Sequence, residues 1–412
     1  MAKELHELNE LEERVILVAV EMDERSSRSA MDTDACLDEL EELVKTAGGT
    51  AVARSVQKRE RIHPGHYLGT GKIEELKAML LAYDATGIVC DDELSPAQLR
   101  NLEQMLGTKV MDRTIVILDI FAARALSGEG KIQVELAQLK YRLSRLTGMG
   151  ASMSRLGGGI GTRGPGEKKL ETDRRYIKER IAELNKDAQE IRTHRELLRA
   201  QRSKKGTPVI SLVGYTNAGK STILNRLSDA GVLAEDKLFA TLDTTTRKIE
   251  LPGGSEVFLT DTVGFIQKLP HHLVQAFRAT LEELQYADIL LHVVDASDAN
   301  RAEHIEVVYD TLRSLGCEDT PVITVFNKMD REVELPLPMD TMARYRAGFC
   351  TEWGRHGCAF GAGGKAAAKL PQIHYGACAL HRGQLNRVDS RQMRNYPRGT
   401  HRRGCSAGGL CG

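Results

Sequence analysis

The sequence has no excess of charge: 57 Lys and Arg balance 57 Asp and Glu over 412 residues. That excludes a chain that grips nucleic acid with its whole surface and leaves only local basic patches for the purpose. No apolar run approaches the ~18 residues that cross a bilayer. The longest, at 115–120 and 289–294, have the length of a strand or a short buried helix, and the start, Met1 to Glu13, is acidic and polar rather than a leader. None of the eight cysteines forms a C-x-x-C pair, and Cys350, Cys358, Cys378, Cys405 and Cys411 all crowd into the last 63 residues. Neither a disulfide framework nor a zinc site is indicated. The expectation is a soluble, cytoplasmic chain whose 41% of hydrophobic residues supports two or three cores.

Residues 1–127 read as a small α/β domain. Apolar strand runs at 15–20 and 88–90 and a strand at 50–57 alternate with helical spacing through Leu37, Leu40 and Val44 and through Leu76 and Leu80. Such alternation implies a parallel sheet. Ser95-Pro96 begins a further helix, with serine as N-cap and proline in the first turn. Gly69-Thr70-Gly71-Lys72 lacks the spacing of a phosphate loop and reads as a turn and helix cap rather than a second nucleotide site. Residues 128–205 change character. Ile132, Leu136, Leu139, Leu143 and Leu146, then Ile177, Ile181, Leu184, Ala188, Ile191, Arg195 and Leu198, recur at alternating steps of three and four, a heptad seam with one polar slip at Arg195. Two such helices joined by a loop predict an antiparallel hairpin, its second arm running from about 167 to 203 over roughly 55 Å. The connection at 157–166 is glycine at six of ten positions and is flanked by Arg155, Lys168, Lys169, Arg174 and Arg175. The cations suit an RNA or other anionic surface at the tip.

Residues 206–335 carry the chemistry. An apolar strand at 209–213 runs into Gly214-Tyr215-Thr216-Asn217-Ala218-Gly219-Lys220-Ser221, with helical spacing after it. This is the phosphate loop in its strand–loop–helix context: glycines let amides turn inward, Lys220 reaches the β- and γ-phosphates, and the Ser221 hydroxyl takes Mg²⁺. A second strand ends in Asp261-Thr262-Val263-Gly264, where the carboxylate holds Mg²⁺ and the Gly264 amide meets the γ-phosphate. A third ends in Asn327-Lys328-Met329-Asp330, whose final carboxylate pairs with the N1–H and 2-amino donors of guanine; adenine has neither and would leave it unpaired. Between the first two lies Phe239-Ala240-Thr241-Leu242-Asp243, opening a threonine-rich stretch that reads as the switch loop, in which a threonine completes the metal shell. The order and spacing point to a GTPase binding GTP or GDP with Mg²⁺.

These motifs, with Tyr67–Lys72 and the 157–166 loop, resemble the HflX family of translation-factor-class GTPases over roughly residues 10–335. The resemblance implies that Thr241 is the metal-binding switch threonine, alongside Ser221 and Asp261, and that Lys220, Thr241 and Gly264 carry catalysis. It further implies association with the large ribosomal subunit and its RNA and dissociation of stalled ribosomes. Separately, a monomeric chain is expected. Phe265 stands where Ras-like enzymes keep a water-orienting glutamine, so slow intrinsic hydrolysis is expected. Asn217 matches an asparagine with which related GTPases hold K⁺.

After about Leu337 the pattern breaks. From Arg331 onward 13 Lys and Arg face 5 Asp and Glu, and no amphipathic period survives. A guanine-contacting loop, its strand and a closing helix are expected some 25–30 residues after Asn-Lys-x-Asp in such a family. Residues 336–412 supply neither period nor loop. They read as an out-of-frame, unstructured tail on a truncated domain, in preference to a new metal site built from Cys350, His356, Cys358, Cys378 and His381. In that case the chain could be a ribosome-docking protein with impaired nucleotide binding.

Overall fold

The computed structural model describes residues 13–22, 32–146, 165–203, 206–228, 238–239, 241–251, 254–268, 281–331, 345–348 and 361–362. The sequence calls on 1–12, on Arg155 and the glycine-rich 157–164, on Ala240 and on the tail at 336–344, 349–360 and 363–412 lie outside these residues. So do the side chains of Lys168 and Lys169.

The first unit is a four-stranded parallel sheet of β1 (Arg14–Met22), β2 (Thr50–Arg59), β3 (Gly87–Cys90) and β4 (Lys109–Asp112), in the order β2-β1-β3-β4. Central β1 is apolar on both faces, as a covered parallel strand must be. Its odd residues Val15, Leu17 and Ala19 pack on α1 (Thr33–Thr46) and α4 (Arg113–Arg124), through Leu37, Leu40, Ile117 and Phe121. Its even residues Ile16, Val18 and Val20 pack on α2 (Thr70–Ala82) and α3 (Pro96–Leu106), through Ile73, Leu76 and Leu102. Helix α3 has the expected start, a reciprocal capping box between Ser95 and Gln98. The 115–120 run is helical: the Asp112 carboxylate accepts from the Ile115 amide at 3.1 Å and starts α4. Lys72 pairs with Glu75 at 2.7 Å on its own helix, and the Gly69 amide donates to Gln57, consistent with a cap.

The hairpin follows as α5 (Gly128–Leu146) and α6 (Pro165–Ser203). At 39 residues α6 is about 58 Å long. Arg180 on α6 makes a bidentate pair with Glu135 on α5 at 2.7 and 3.0 Å. The polar slip at Arg195 has a cause: its guanidinium reaches Glu129 of α5 at 2.6 Å and Glu283 at 3.5 Å, joining the hairpin to the third unit.

That unit is a sheet ordered β11-β10-β9-β8-β5-β7-β6. Its strands are β5 (Val209–Gly214), β6 (Thr245–Glu250), β7 (Glu256–Asp261), β8 (Ile289–Asp295), β9 (Val322–Asn327), β10 (Tyr345–Gly348) and β11 (Gly361–Ala362). From β7 through β10 the pairing is parallel; β6 and β11 run antiparallel to their neighbours. Helices α7 (Lys220–Ser228) and α8 (Arg301–Ser314) pack against it. One expectation is corrected here. The strand position beside β9 is filled, by β10 pairing Tyr345 with Ile323 through Gly348 with Phe326. An unpaired edge recruits backbone, and four residues of backbone pairing need no amphipathic period. The α1/α4 layer lies between the two sheets, because one continuous core runs from Leu37 and Phe121 to Phe239, Phe265 and Leu290.

Candidate nucleotide site

The site forms at the carboxyl ends of β5, β7 and β9, where parallel strands leave a crevice for ligands. Gly214 turns the chain at φ +153°, and a Cβ there would meet the Val293 carbonyl at 2.3 Å. Gly219, at φ +94°, lies so close to Asn327 that a Cβ would stand 2.2 Å from its amide nitrogen. Only glycine fits either place. Asn327 uses that amide to donate to the Ala218 carbonyl at 2.9 Å, tying the third motif to the first.

Lys220 is 6% exposed, and its ammonium folds back onto the loop, donating to the Tyr215 carbonyl at 2.7 Å and the Gly214 carbonyl at 3.1 Å. Burial pulls its pKa from 10.5 down to about 8, against the opposing pull of Asp261. Three oxygens converge beside it. Ser221 Oγ donates to Asp261 Oδ2 at 2.6 Å and lies 2.8 Å from Thr241 Oγ1, and Thr241 donates to the same Asp261 oxygen at 3.1 Å. Asp261 is fully buried, and its second oxygen, Oδ1, has no partner. Desolvation raises the Asp261 pKa despite Lys220 and the two hydroxyls. A buried carboxylate that gathers two hydroxyls on one oxygen and leaves the other unused is a hard, all-oxygen donor set that fits Mg²⁺.

The remaining motif residues divide. Thr262 is buried and donates to the Leu212 carbonyl at 2.6 Å, a structural bond beneath the site. Gly264 is pressed against the phosphate loop; a Cβ there would meet Thr216 Cγ2 at 2.8 Å and Lys220 Nζ at 3.1 Å. Phe265 is 1% exposed in the common core, and its backbone ties to the loop through Thr216 N–H to Phe265 O at 2.7 Å. Lys328 pairs with Asp295 at 2.6 Å, Met329 packs on the core, and Asp330 is exposed at the turn after β9. Phe239 and Leu242 are buried, Phe239 edge-on to Phe121 of α4 with centroids 4.7 Å apart. Asp243 binds the segment that leads into the hairpin: it accepts from the amides of Leu126 and Ser127 at 3.0 and 2.8 Å, and Ser127 caps α5 by accepting from the Gly130 amide at 2.9 Å.

Sequence reasoning missed a buried ion network behind the loop. Arg113, 1% exposed, bridges Glu39 and Asp91, the latter at 2.7 Å; Tyr215 donates its hydroxyl to Glu39 and accepts from the Gln267 amide at 2.9 Å; Lys268 pairs with Asp91 and, at 2.8 Å, with Asp92. Burial opposes the Arg113 charge, but Glu39 and Asp91 overcome it and raise the pKa. Tyr215 also stacks on His304 of α8 at 3.7 Å. These partners lie up to 177 residues apart in sequence, with no local motif to announce them.

Three family models match in succession: "GTP-binding GTPase N-terminal" over residues 34–122, "GTP-binding GTPase Middle Region" over 124–202 and "50S ribosome-binding GTPase" over 209–328. The chain is 65% identical to "GTPase HflX" of Lacrimispora saccharolytica over 327 residues, 79% of this chain and 76% of that one. It is 53% identical to the Caldanaerobacter subterraneus protein of that name over 79% of this chain and 74% of that one. To the Escherichia coli protein it is 47% identical over 71% of this chain and 69% of that one. A solved structure described as "crystal structure of SsGBP and GDP complex" aligns with 24% identity and a TM-score of 0.43, covering 77% of this chain and 83% of that one. The chain is a P-loop GTPase with a guanine-nucleotide site and belongs to the HflX family.

Proposed function

We propose that this GTPase associates with the large ribosomal subunit and uses its GTP cycle to dissociate or rescue stalled ribosomes. The observation that carries the nucleotide half is the convergence of Ser221, Thr241 and Asp261 on one buried carboxylate oxygen, with Asp261 Oδ1 left over. On this reading Ser221, Thr241 and Asp261 hold Mg²⁺, which supplies positive charge to the phosphate oxygens when bound. Lys220 releases its two loop carbonyls and turns to the β- and γ-phosphates. The Gly264 amide donates to the γ-phosphate, Asp330 reads guanine, and Asn217 offers its side-chain oxygen to K⁺. The ribosomal half is supported by the hairpin, a lever about 58 Å long whose far end joins the glycine-rich, basic segment, and by the match of residues 209–328 to a family of 50S ribosome-binding GTPases.

The test is GTP turnover by the full chain with and without purified large subunits, read beside sedimentation of intact ribosomes. Stimulated turnover with an increase in free subunits is expected. Binding of a fluorescent GDP analogue without either effect would sink the ribosomal reading. Absence of GDP binding by the folded chain would favour the rival, a docking protein whose altered tail has cost it the guanine loop. Equal rates in K⁺ and Na⁺ buffers would remove the K⁺ assignment.

A further inference from the structure

GTP hydrolysis needs an attacking water held in line with the γ-phosphorus, and the side chain that does this in Ras-like enzymes is a glutamine next to the Asp-x-x-Gly glycine. Here that residue is Phe265, whose ring is buried in the core and whose backbone is bonded to the phosphate loop in both directions: Phe265 N–H to Gly214 O at 3.1 Å and Thr216 N–H to Phe265 O at 2.7 Å. The backbone is pinned and the ring is packed in the core, and a phenyl ring has no atom that could hydrogen-bond an attacking water.

The same pinning sets Thr216 against Gly264, the residue before Phe265. Its Cα and Cγ2 lie on the face of Gly264, where a Cβ would stand 2.9 and 2.8 Å from them, and Lys220 Nζ approaches the same point to 3.1 Å. On the proposed reading Gly264 and Lys220 both turn to the terminal phosphate, and Thr216 packs on the face of Gly264 that Lys220 also approaches. Thr216 is 6% exposed, and its hydroxyl oxygen is closed off from solvent with no hydrogen-bond partner. Folding has stripped this hydroxyl of water and given nothing in return, an arrangement that persists where a ligand completes the pairing.

We propose that Thr216 is the positioning residue for the hydrolytic water. Its Oγ1 accepts a hydrogen bond from the water's O–H and holds the water's lone pair toward the γ-phosphorus. The water oxygen then forms the new P–O bond as the bond to the β–γ bridging oxygen breaks. GDP leaves with that electron pair, and the water's proton ends on the released phosphate. Thr216 gains and loses no proton. The inference rests on the GTPase reading of the site and not on the ribosomal one.

The experiment uses the full chain without ribosomes: single-turnover GTP hydrolysis, GDP affinity, and formation of a GDP–aluminium fluoride complex, for wild type, Thr216→Val and Thr216→Ser. Valine keeps the shape and removes the hydroxyl; serine keeps the hydroxyl. The expected result is hydrolysis slowed about 10-fold or more in Thr216→Val, the scale of lost alignment. Its GDP affinity should stay within about 2-fold of wild type, a loss far smaller than that of a binding contact. The valine variant should also fail to trap aluminium fluoride, while Thr216→Ser retains both activities. Wild-type hydrolysis by the valine variant overturns the proposal. So does an equal loss in valine and serine variants, which would reveal a packing role for the methyl group.

Discussion

Asp243 and Ser127 meet across the junction between the switch loop and the hairpin: the Ser127 hydroxyl and amide donate to the two oxygens of the Asp243 carboxylate at 2.5 and 2.8 Å. The Ser127 hydroxyl in turn accepts from the Gly130 amide at 2.9 Å and is the N-cap of α5, so the carboxylate, two residues beyond Thr241, holds the capping residue in place. Gly130 is part of the arrangement, because a Cβ there would lie 2.4 Å from Asp243 Oδ1. Gly130→Ala is expected to expel the carboxylate and destabilise the chain by about 1–2 kcal/mol, the scale of a lost cap. Asp243→Ala should cost the same, and the double variant no more than either single one. Additive losses in denaturant unfolding would show that the cap and the glycine act separately.

Asn327 belongs by sequence to the guanine motif, yet its amide goes to the phosphate loop at Ala218. Asn327→Ala leaves a buried carbonyl unpaired, at about 1–3 kcal/mol. The loop it tethers is the one that must keep its shape to bind phosphate. GDP affinity should fall by about 5- to 150-fold, the same energy expressed as a ratio, with thermal stability also lowered. A variant that binds GDP as tightly as wild type would show that the tether is incidental.

The pKa of Lys220, near 8 in place of 10.5, gives two dependences on pH. Between those values the unfolded chain carries a proton on this lysine that the folded, nucleotide-free chain lacks. Stability of the nucleotide-free chain therefore rises with pH across that window, as far as Lys220 determines it. Nucleotide phosphates favour the charged form, so GDP binding near pH 8.5 should take up most of one proton, and binding near pH 6.5 almost none. Calorimetry in buffers of different ionisation enthalpy measures the uptake directly. Proton uptake unchanged in Lys220→Gln would assign it elsewhere.

Much of this site was legible because its motifs are local. Each of Gly214–Ser221, Asp261–Gly264 and Asn327–Asp330 sits at a strand end, and strand ends are marked by apolar runs. Parallel pairing then brings the ends together without further information. The Ser95 N-cap and the heptad seam of the hairpin were legible for the same reason, while the Gln98 half of the capping box appears only in the structure. What was not legible is long-range and polar. Asp243 reads as a switch residue, and nothing near it in sequence says that its partners are 116 and 117 residues away. Arg195 reads as a flaw in a seam until Glu129 and Glu283 are placed beside it. The strand beside β9 was invisible because β10 pairs through its backbone, which leaves no side-chain period to read.

The network behind the phosphate loop gives the sharpest stability prediction. Arg113 lies with its guanidinium between Glu39 and Asp91, all three side chains almost wholly buried, on α4, α1 and the end of β3 respectively. Removing the cation strands two carboxylates, which costs about 3–5 kcal/mol when nothing else compensates. Here Lys268 remains on Asp91 and the Tyr215 hydroxyl on Glu39, so Arg113→Met should fall at the low end, about 3 kcal/mol. Lysine presents one point charge where the guanidinium spans two partners, and Arg113→Lys should recover less than half of the loss. Because Glu39 also anchors the Tyr215 ring against His304, the methionine variant should weaken GDP binding as well as the fold. Urea unfolding with and without saturating GDP separates the two effects: nucleotide should stabilise Arg113→Met less than it stabilises wild type. Equal stabilisation by GDP would mean that the network supports the junction of the two sheets and leaves the phosphate loop untouched.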